Sequence, residues 1–272
     1  MGYVILESGQ ANTMMDAFYN FIDTSPDSAN IHSLFSWQEE SNNELQECYG
    51  FEITISDWVK IISQIGTTSY VFKFGLDESL LPDNNTPPIP GLSTNRPPFN
   101  LIIQGVNADN SIQGEYFLLT KPVTQSITPK FNQGESSPPL NGKIPNVLLQ
   151  QWAQSWENLL INNWIPSAYS KLFLSSGRHK ILRVLQGYNF LHDDMVDVLR
   201  PNGPAPQEQE ISSIRIYLIN HSREVTPASL QSSEGGFLGL MLVGWDNTTG
   251  DDGSPVSAFY DFSAPCPPTC PR

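Results

Sequence analysis

Residues 213–220, with the sequence SIRIYLIN, and residues 237–245, with the sequence FLGLMLVGW, are two strongly apolar segments. They are short, rich in branched and large apolar side chains, and bounded by Ser, Gly and Asn. That pattern is typical of strands in a half-buried or central sheet. Three further strands are predicted in the first half, at residues 70–75, 100–106 and 115–120, and one more in the second half, at residues 257–262.

Helical periodicity precedes each set of strands. In residues 12–23 the side chains of Met15, Tyr19 and Ile22 fall on one helical face, and residues 147–164 repeat that spacing with large apolar side chains. Side chains three and four positions apart share a helix face. Shorter helices are predicted at residues 56–65 and 193–200. The sequence therefore predicts the α+β fold class, with antiparallel sheets packed by helices.

One fixed offset relates the two halves of the chain. A shift of 137 residues lays one half on the other without a gap from residue 15 to residue 62. The paired positions agree in apolar class and in element order more than in identity; they include Met15 with Trp152, Gly50 with Gly187, Phe51 with Tyr188, Ile53 with Phe190 and Asp57 with Asp194. Self-similarity at a fixed offset is the mark of repeated units. It predicts two related α-β-β-β modules, and the alternative is a single α+β domain.

Proline-rich segments suggest the boundaries of these modules. The segment from Pro82 to Pro98 has the composition of a long loop within the first module, and the segment from about Lys121 to Pro145 has that of a linker. Proline at this density disfavours helices and central strands. The predicted organisation is an N-terminal module at 1–122, a Pro/Ser-rich linker at 123–146 and a C-terminal module at 147–272.

The charge balance limits the classes of partner. Lys and Arg total 14 against 28 Asp and Glu, which gives a net charge of −14. Nucleic-acid backbones and anionic lipid surfaces require clustered basic residues, so the composition argues against both. Charged residues make up 15% of the chain, below the ~25% of ordinary domains. Such a polar, weakly charged surface favours protein partners and predicts a homo-oligomer.

The chain shows no sign of a membrane span or a leader. No apolar run approaches the ~18 residues that a transmembrane helix needs. The first ten residues, MGYVILESGQ, lack the basic and long apolar regions of a secretory signal. The sequence predicts a cytoplasmic protein, or an extracellular one if a leader has been removed.

The second half contains a set of recognisable patterns. They are Asp194-Met195-Val196, then Ile214-Arg215-Ile216-Tyr217, then Leu240 to Asp246, and a tail from Asp261 to Cys270 with the sequence DFSAPCPPTC. Over residues 187–270 the chain resembles an uncharacterised family of small bacterial proteins with an IRIYY-like strand, a LVLVGVD-like strand and a PCPPxC tail. The resemblance implies a module boundary and no particular reaction.

An acidic turn after the last strongly apolar strand is a candidate metal site. Asp246, Asn247, Asp251 and Asp252 place carboxylate and amide oxygens on one short segment, and Ca²⁺ prefers such ligands. The spacing is not that of an EF-hand loop. The alternative is a hairpin turn, where Asp, Asn and Gly serve backbone geometry. Calcium is the sole cofactor that the sequence suggests.

Two other groups could carry chemistry. Cys266 and Cys270 in the tail are close enough to form a disulfide, whereas zinc would need further ligands. In His192-Asp193-Asp194 a histidine lies beside carboxylates, as a general base would. A helix is predicted to begin at the same place, however, and a carboxylate there caps exposed amides. We interpret this segment as a cap.

Two functions of different class fit these patterns. The first is a non-enzymatic structural or protein-interaction protein that self-assembles into an oligomer or filament, since duplicated modules present similar surfaces. The alternative is a small-ligand-binding, carbohydrate-binding or hydrolytic protein with a site between the two modules. The sequence identifies no catalytic residue and favours the first hypothesis.

Overall fold

The computed structural model describes most of the chain in separate ranges. These ranges are residues 2–24, 32–81, 84–109, 111–128, 146–161, 174–176, 182–200, 210–221, 238–248, 253–255 and 264–266. We call residues up to 128 the first half and residues from 146 the second half. No helix within these ranges has the length and hydropathy needed to cross a bilayer.

Five helices and fifteen strands occur within the described ranges. The helices are α1 (Ser8–Thr24), α2 (His32–Phe35), α3 (Ile55–Ile62), α4 (Asn146–Ile161) and α5 (His192–Asp197). The strands of the first half are β1 (Tyr3–Leu6), β2 (Ser36–Gln38), β3 (Leu45–Glu47), β4 (Gly50–Thr54), β5 (Thr67–Leu76), β6 (Phe99–Asn107), β7 (Ile112–Leu119) and β8 (Pro122–Val123). Those of the second half are β9 (Leu174–Ser176), β10 (Leu182–Val184), β11 (Gly187–Leu191), β12 (Ser213–Asn220), β13 (Leu238–Asp246), β14 (Ser254–Pro255) and β15 (Ala264–Cys266).

Two larger antiparallel sheets organise these strands. A six-stranded sheet has the order β1-β7-β6-β5-β11-β15, and a five-stranded sheet has the order β14-β13-β12-β4-β8. Two small hairpins, β2-β3 and β9-β10, lie outside them. The predicted α+β class, with antiparallel sheets packed by helices, is confirmed.

Each larger sheet contains two strands from the other half of the chain, β11 and β15 in the six-stranded sheet and β4 and β8 in the five-stranded sheet. Strand β11 pairs with β5, so that Gly187 lies opposite Lys73. Strand β4 pairs with β12, so that Gly50 lies opposite Tyr217. The exchange is therefore reciprocal: the first half supplies β4 to the sheet of the second, and the second supplies β11 to the sheet of the first.

Glycine begins both exchanged strands because the partner backbone lies very close. A Cβ atom on Gly50 would come within 2.2 Å of the carbonyl oxygen of Ile216. A Cβ atom on Gly187 would come within 2.0 Å of the carbonyl oxygen of Phe72. Only glycine allows this approach, so the two positions that the offset of 137 pairs in sequence meet the same steric demand.

The core joins both halves. The largest cluster of buried apolar side chains contains Phe72 and Phe74 of β5 together with Ile216 of β12 and Leu242 of β13. The fully buried Trp58 of α3 donates its indole N–H to the carbonyl oxygen of Met195 in α5, at 3.0 Å. Helices α3 and α5 thus meet, and each directly follows one of the exchanged strands.

A buried ion pair accompanies the exchange in the five-stranded sheet. The guanidinium Nε of Arg215 in β12 donates to Glu52 of β4 at 2.8 Å, and both side chains are buried. Lys121 contacts the other carboxylate oxygen of Glu52 at 2.5 Å. The guanidinium carbon of Arg215 lies 4.0 Å from the ring centroid of Trp245, which adds a cation–π contact.

The Pro-rich loop of the first half is anchored by buried polar groups. Arg96 donates to Asp77 and to Asn100, and all three residues are buried. The backbone N–H of Asp77 also donates to the carbonyl oxygen of Pro98 at 2.9 Å. These contacts hold the two ends of the loop at the adjoining ends of β5 and β6.

Several boundaries differ from the sequence prediction. Helix α1 begins four residues before the predicted start at residue 12, and α3 ends at Ile62 instead of residue 65. Strands β4 and β11 were not predicted as strands at all. The predicted strand at 257–262 and residues 129–145 of the predicted linker lie outside the described residues. The module boundaries remain a prediction, since both larger sheets combine strands from the two halves.

We expect Arg215→Met to lower the free energy of unfolding by about 3 kcal/mol, because it leaves the buried carboxylate of Glu52 without its principal partner. Chemical denaturation at neutral pH measures this change. The matched control is Arg200→Met, which removes the exposed ion pair to Asp197 and should cost no more than about 0.5 kcal/mol. Equal losses in the two variants would show that Arg215 does not fasten the exchanged strand.

Candidate functional site

The predicted calcium turn is described only at its first two residues. Asp246 is buried, and its Oδ1 accepts hydrogen bonds from the backbone N–H of Thr248 at 2.7 Å and from its hydroxyl at 2.6 Å. The side-chain amide of Asn247 donates to the hydroxyl of Ser213 at 3.2 Å. These contacts stabilise the turn itself, while Asp251 and Asp252 lie outside the described residues. Among the residues that the structure does describe, no group of three metal-ligating side chains occurs.

The segment His192-Asp193-Asp194 forms the start of α5. The Oδ2 atom of Asp194 accepts a hydrogen bond from the backbone N–H of Leu191 at 3.3 Å, which is a capping contact. His192 places Nε2 3.2 Å from the carbonyl oxygen of Ile62, at the end of α3. Asp194 therefore caps α5, and His192 connects α5 to the end of α3. A shallow depression of about 340 Å³ beside them is lined by Asp193, Val196, Asp197 and Arg200.

The cysteines differ in their surroundings. Cys48 is fully buried and donates to the carbonyl oxygen of Gly50 at 3.3 Å, and burial raises the pKa of its thiol to about 12. Its thiol is thus neutral and inert at physiological pH. Cys266 lies in β15, where it pairs with Gly187 of β11. Cys270 lies outside the described residues, so the disulfide between Cys266 and Cys270 stays a prediction.

A polar patch that the sequence did not indicate lies on one face of the six-stranded sheet. Because successive strand residues point to opposite faces, Val71 and Lys73 of β5 lie on the face opposite to the core side chains Phe72 and Phe74. Val71 is paired with Gln104 of β6 and with Asn189 of β11. We call Lys73, Gln104 and Asn189 the polar triad.

Register places Lys73 within reach of both other members of the polar triad. Directly opposite residues in a sheet have Cβ atoms about 5 Å apart, and diagonal neighbours are about 7–8 Å apart. Lys73 is the diagonal neighbour of both Gln104 and Asn189, and a lysine side chain spans that distance. The residue directly opposite Lys73 in β11 is Gly187, where the backbones of the two strands approach closely.

The polar triad lacks internal partners. Gln104 is 1% exposed, and neither its amide nitrogen nor its amide oxygen has a hydrogen-bond partner. The buried side-chain oxygen of Asn189 also has none. Burial lowers the pKa of the partly buried Lys73. Buried polar groups are usually satisfied, so the unpartnered atoms of Gln104 and Asn189, on the same sheet face as the partly buried Lys73, set this patch apart.

The equivalent place in the five-stranded sheet is internally satisfied. In that sheet Glu52 of β4, Arg215 of β12 and Val243 of β13 lie opposite one another. They correspond in position to Asn189 of β11, Val71 of β5 and Gln104 of β6. The ion pair and the contact with Trp245 occupy the charged groups of the first row, and the guanidinium of Arg215 also lies 3.2 Å from the hydroxyl of Tyr217. The two rows therefore cross a corresponding set of three strands and differ in chemistry.

Comparisons with protein-family models, with curated proteins and with solved structures gave no match for this chain. The geometry described above therefore carries the functional argument.

The two carboxylates that the offset of 137 pairs differ in protonation behaviour. Asp57 accepts a hydrogen bond from the backbone N–H of Gly2 at 3.0 Å, which lowers its pKa, and Lys60 lowers it further. Burial raises the pKa of Asp194, and the nearby carboxylates of Asp197 and Asp193 add to that effect. The first carboxyl is thus held in its ionised form, and the second is disposed toward its neutral form.

We expect Asp57→Asn and Asp194→Asn to respond to pH in opposite ways. A lowered folded pKa gives stability that is present above the ordinary Asp pKa of about 3.9 and lost as pH falls further. Asp57→Asn should therefore destabilise most at pH 6–7 and least in acid. The raised pKa of Asp194 gives stability below about pH 4 that is lost as pH rises, because the partly buried carboxyl group then ionises. The free energy of unfolding of Asp194→Asn, relative to the parent protein, should therefore increase with rising pH. Denaturation of both variants from pH 3 to 7 measures these trends, and parallel curves would contradict them.

Proposed function

We propose that this protein is a non-enzymatic structural or protein-interaction protein that self-assembles, and that its two halves arose by duplication. The observation that carries the proposal is the reciprocal exchange of β4 and β11 between the halves. Each half completes its sheet with a strand from an equivalent unit. The partner that fits each half is therefore another unit of the same kind.

The same pairing can operate between chains. If the two halves of one chain separate, each presents a sheet edge that matches the exchanged strand of a second chain. Exchange of identical elements is a low-cost route to dimers, because it creates no new type of contact. Reciprocal exchange between two chains closes a dimer, whereas exchange along a series of chains forms an open filament.

Correspondence of elements supports the duplication. Strand β11 begins at residue 187 and β4 at residue 50, so their starts are 137 residues apart, and both are followed directly by a helix. The hairpin strands β10 and β3 begin at 182 and 45, with the same separation. Pro122 opposite Phe51 and Pro265 opposite Tyr188 continue the correspondence at the outer strands.

Exposed apolar side chains near the junction of the halves support a protein partner. Val59 on α3 is 43% exposed, Ile65 in the following turn 93%, and Leu191 at the end of β11 60%. A single exposed apolar side chain needs no explanation. Three on elements that join α3, β5 and α5 are consistent with a surface that another chain covers.

A cysteine pair across the exchange tests this proposal. Ser69 and Leu191 are opposite each other in β5 and β11. The N–H of Phe74 bonds to the carbonyl of Gln186, so Ser69 and Leu191 form a non-hydrogen-bonded pair with the short Cα separation that suits a disulfide. The oligomer of the Ser69→Cys/Leu191→Cys variant is isolated by size-exclusion chromatography with light-scattering detection and then oxidised. Disulfides between chains should give covalent dimers or a ladder of bands on non-reducing gels.

The matched control is Gln38→Cys/Leu45→Cys, in which both exposed cysteines lie in the β2-β3 hairpin. Its disulfide should form within one chain whatever the assembly state. Both variants also carry Cys266→Ser and Cys270→Ser to remove competing thiols. A strict monomer at the highest soluble concentration would refute self-assembly, and an oligomer with disulfides only within chains would refute strand exchange as its route.

A second candidate function is the binding of a small ligand between the two halves. The observation that favours it is the polar triad, in which Lys73 and Gln104 belong to the first half and Asn189 to the second. Binding there requires the exchanged strand β11 to be in place. The two functions are compatible, since assembly by exchange retains the β5-β11 pairing.

A further inference from the structure

We propose that the polar triad is a binding site for a small organic anion, whose carboxylate pairs with the Lys73 ammonium and whose neighbouring hydroxyl or amide group bonds to Gln104 and Asn189. The proposal deepens the second candidate function, rests on that function, and does not depend on self-assembly.

The charge of Lys73 has no carboxylate counter-ion in the described part of the chain. The lysine side chain is partly buried. A cation removed from water is costly unless it is paired. A carboxylate bound beside it would restore the lost interaction by a charge-assisted hydrogen bond.

The chemistry of Gln104 specifies more than a simple anion. A primary amide offers two donor hydrogens and one acceptor oxygen, and both ends of the Gln104 side chain are buried without partners. A ligand group that both accepts and donates, such as a hydroxyl or an amide, would satisfy both ends. The unpartnered oxygen of Asn189 lies on the same row of the sheet and adds another acceptor.

Apolar side chains lie at one end of the sheet face that carries the polar triad. At the adjoining end of this sheet face, Met14 of α1 packs with Ile102 of β6, and Ile89 and Leu92 of the Pro-rich loop pack against them. Such apolar neighbours strengthen an ionic contact because they lower the local dielectric constant.

In the five-stranded sheet a carboxylate of the chain itself neutralises a buried cation. Glu52 on the exchanged strand β4 occupies the position that Asn189 occupies on β11, and it neutralises Arg215 on the adjacent strand. In the six-stranded sheet the exchanged strand offers an amide in place of that carboxylate. The proposed ligand supplies from solution the charge that Glu52 supplies from within the chain.

Differential lysine acetylation of the full-length protein tests the site. Sodium acetate and sodium lactate serve as the probes, with sodium chloride at equal ionic strength for comparison, and N-hydroxysuccinimidyl acetate labels the amines at neutral pH. Mass spectrometry follows the labelling of Lys73. Lys60 and Lys121, which are exposed and paired with Asp57 and Glu52, are internal references.

We expect lactate to slow the labelling of Lys73 about tenfold when its concentration is about ten times its dissociation constant. Acetate, which has the carboxylate without the hydroxyl, should protect Lys73 less strongly. Lys60 and Lys121 should be unaffected. No protection by either carboxylate, or equal protection by chloride, would overturn the proposal.

Two variants separate binding from structural roles. Asn189→Glu builds the internal carboxylate of the other sheet into this one, so it should abolish protection by lactate. Gln104→Met should weaken lactate binding about tenfold through the loss of its hydrogen bonds. Without ligand, Gln104→Met should raise the thermal midpoint by about 2–4 °C, because it removes buried unsatisfied atoms.

The change in thermal midpoint of Gln104→Met and the protection of Lys73 in Asn189→Glu each test the anion site. A fall in the thermal midpoint of Gln104→Met would show that Gln104 is satisfied within the folded protein, which overturns the proposal. Protection by lactate that persists unchanged in Asn189→Glu would also overturn it, because the anion would then bind elsewhere. If Lys73 is protected while the protein stays monomeric, the anion site stands and self-assembly alone is refuted.

Discussion

The pairing of β11 with β5, and of β4 with β12, is the constraint on which both larger sheets depend. Each exchanged strand lies between a strand of the other half and a short strand of its own half, so its removal would leave β5 or β12 with an unpaired edge of backbone donors and acceptors. Such groups are costly when buried, and every residue of β12 is buried. The two halves therefore stabilise each other through backbone hydrogen bonds as well as through the shared apolar core.

The exchanged strands also carry side chains that give the two larger sheets different chemistry. In both sheets the exchanged strand places a polar side chain beside β5 or β12, the strand of the other half with which it pairs. In the five-stranded sheet this side chain is the carboxylate of Glu52, which pairs with Arg215. In the six-stranded sheet it is the amide of Asn189, near Lys73 and Gln104. One of the two larger sheets thus contains a closed ionic cluster, and the other contains a polar patch with unpartnered buried atoms.

Sequence patterns predicted the strongly periodic elements and missed the short ones. The apolar runs that became β12 and β13 were placed to within a residue, because fully buried strands require continuous apolar sequence. Strands β4 and β11 have five residues each and include Glu52 and Asn189, so neither periodicity nor composition marked them. The offset of 137 nonetheless aligned Gly50 with Gly187, and both glycines proved to lie against a partner backbone.

The amino-acid sequence by itself determined the fold class, the helical and apolar segments, and the alignment of one half with the other, because these depend on local periodicity and composition. The tertiary structure alone decided which strands pair across the halves, and hence that Lys73, Gln104 and Asn189 share one sheet face. The reason is physical: alternation specifies which side chains of a strand share a face, but the neighbour of a strand is selected by the burial and hydrogen bonding of the whole sheet. Residues more than a hundred positions apart became neighbours through that selection.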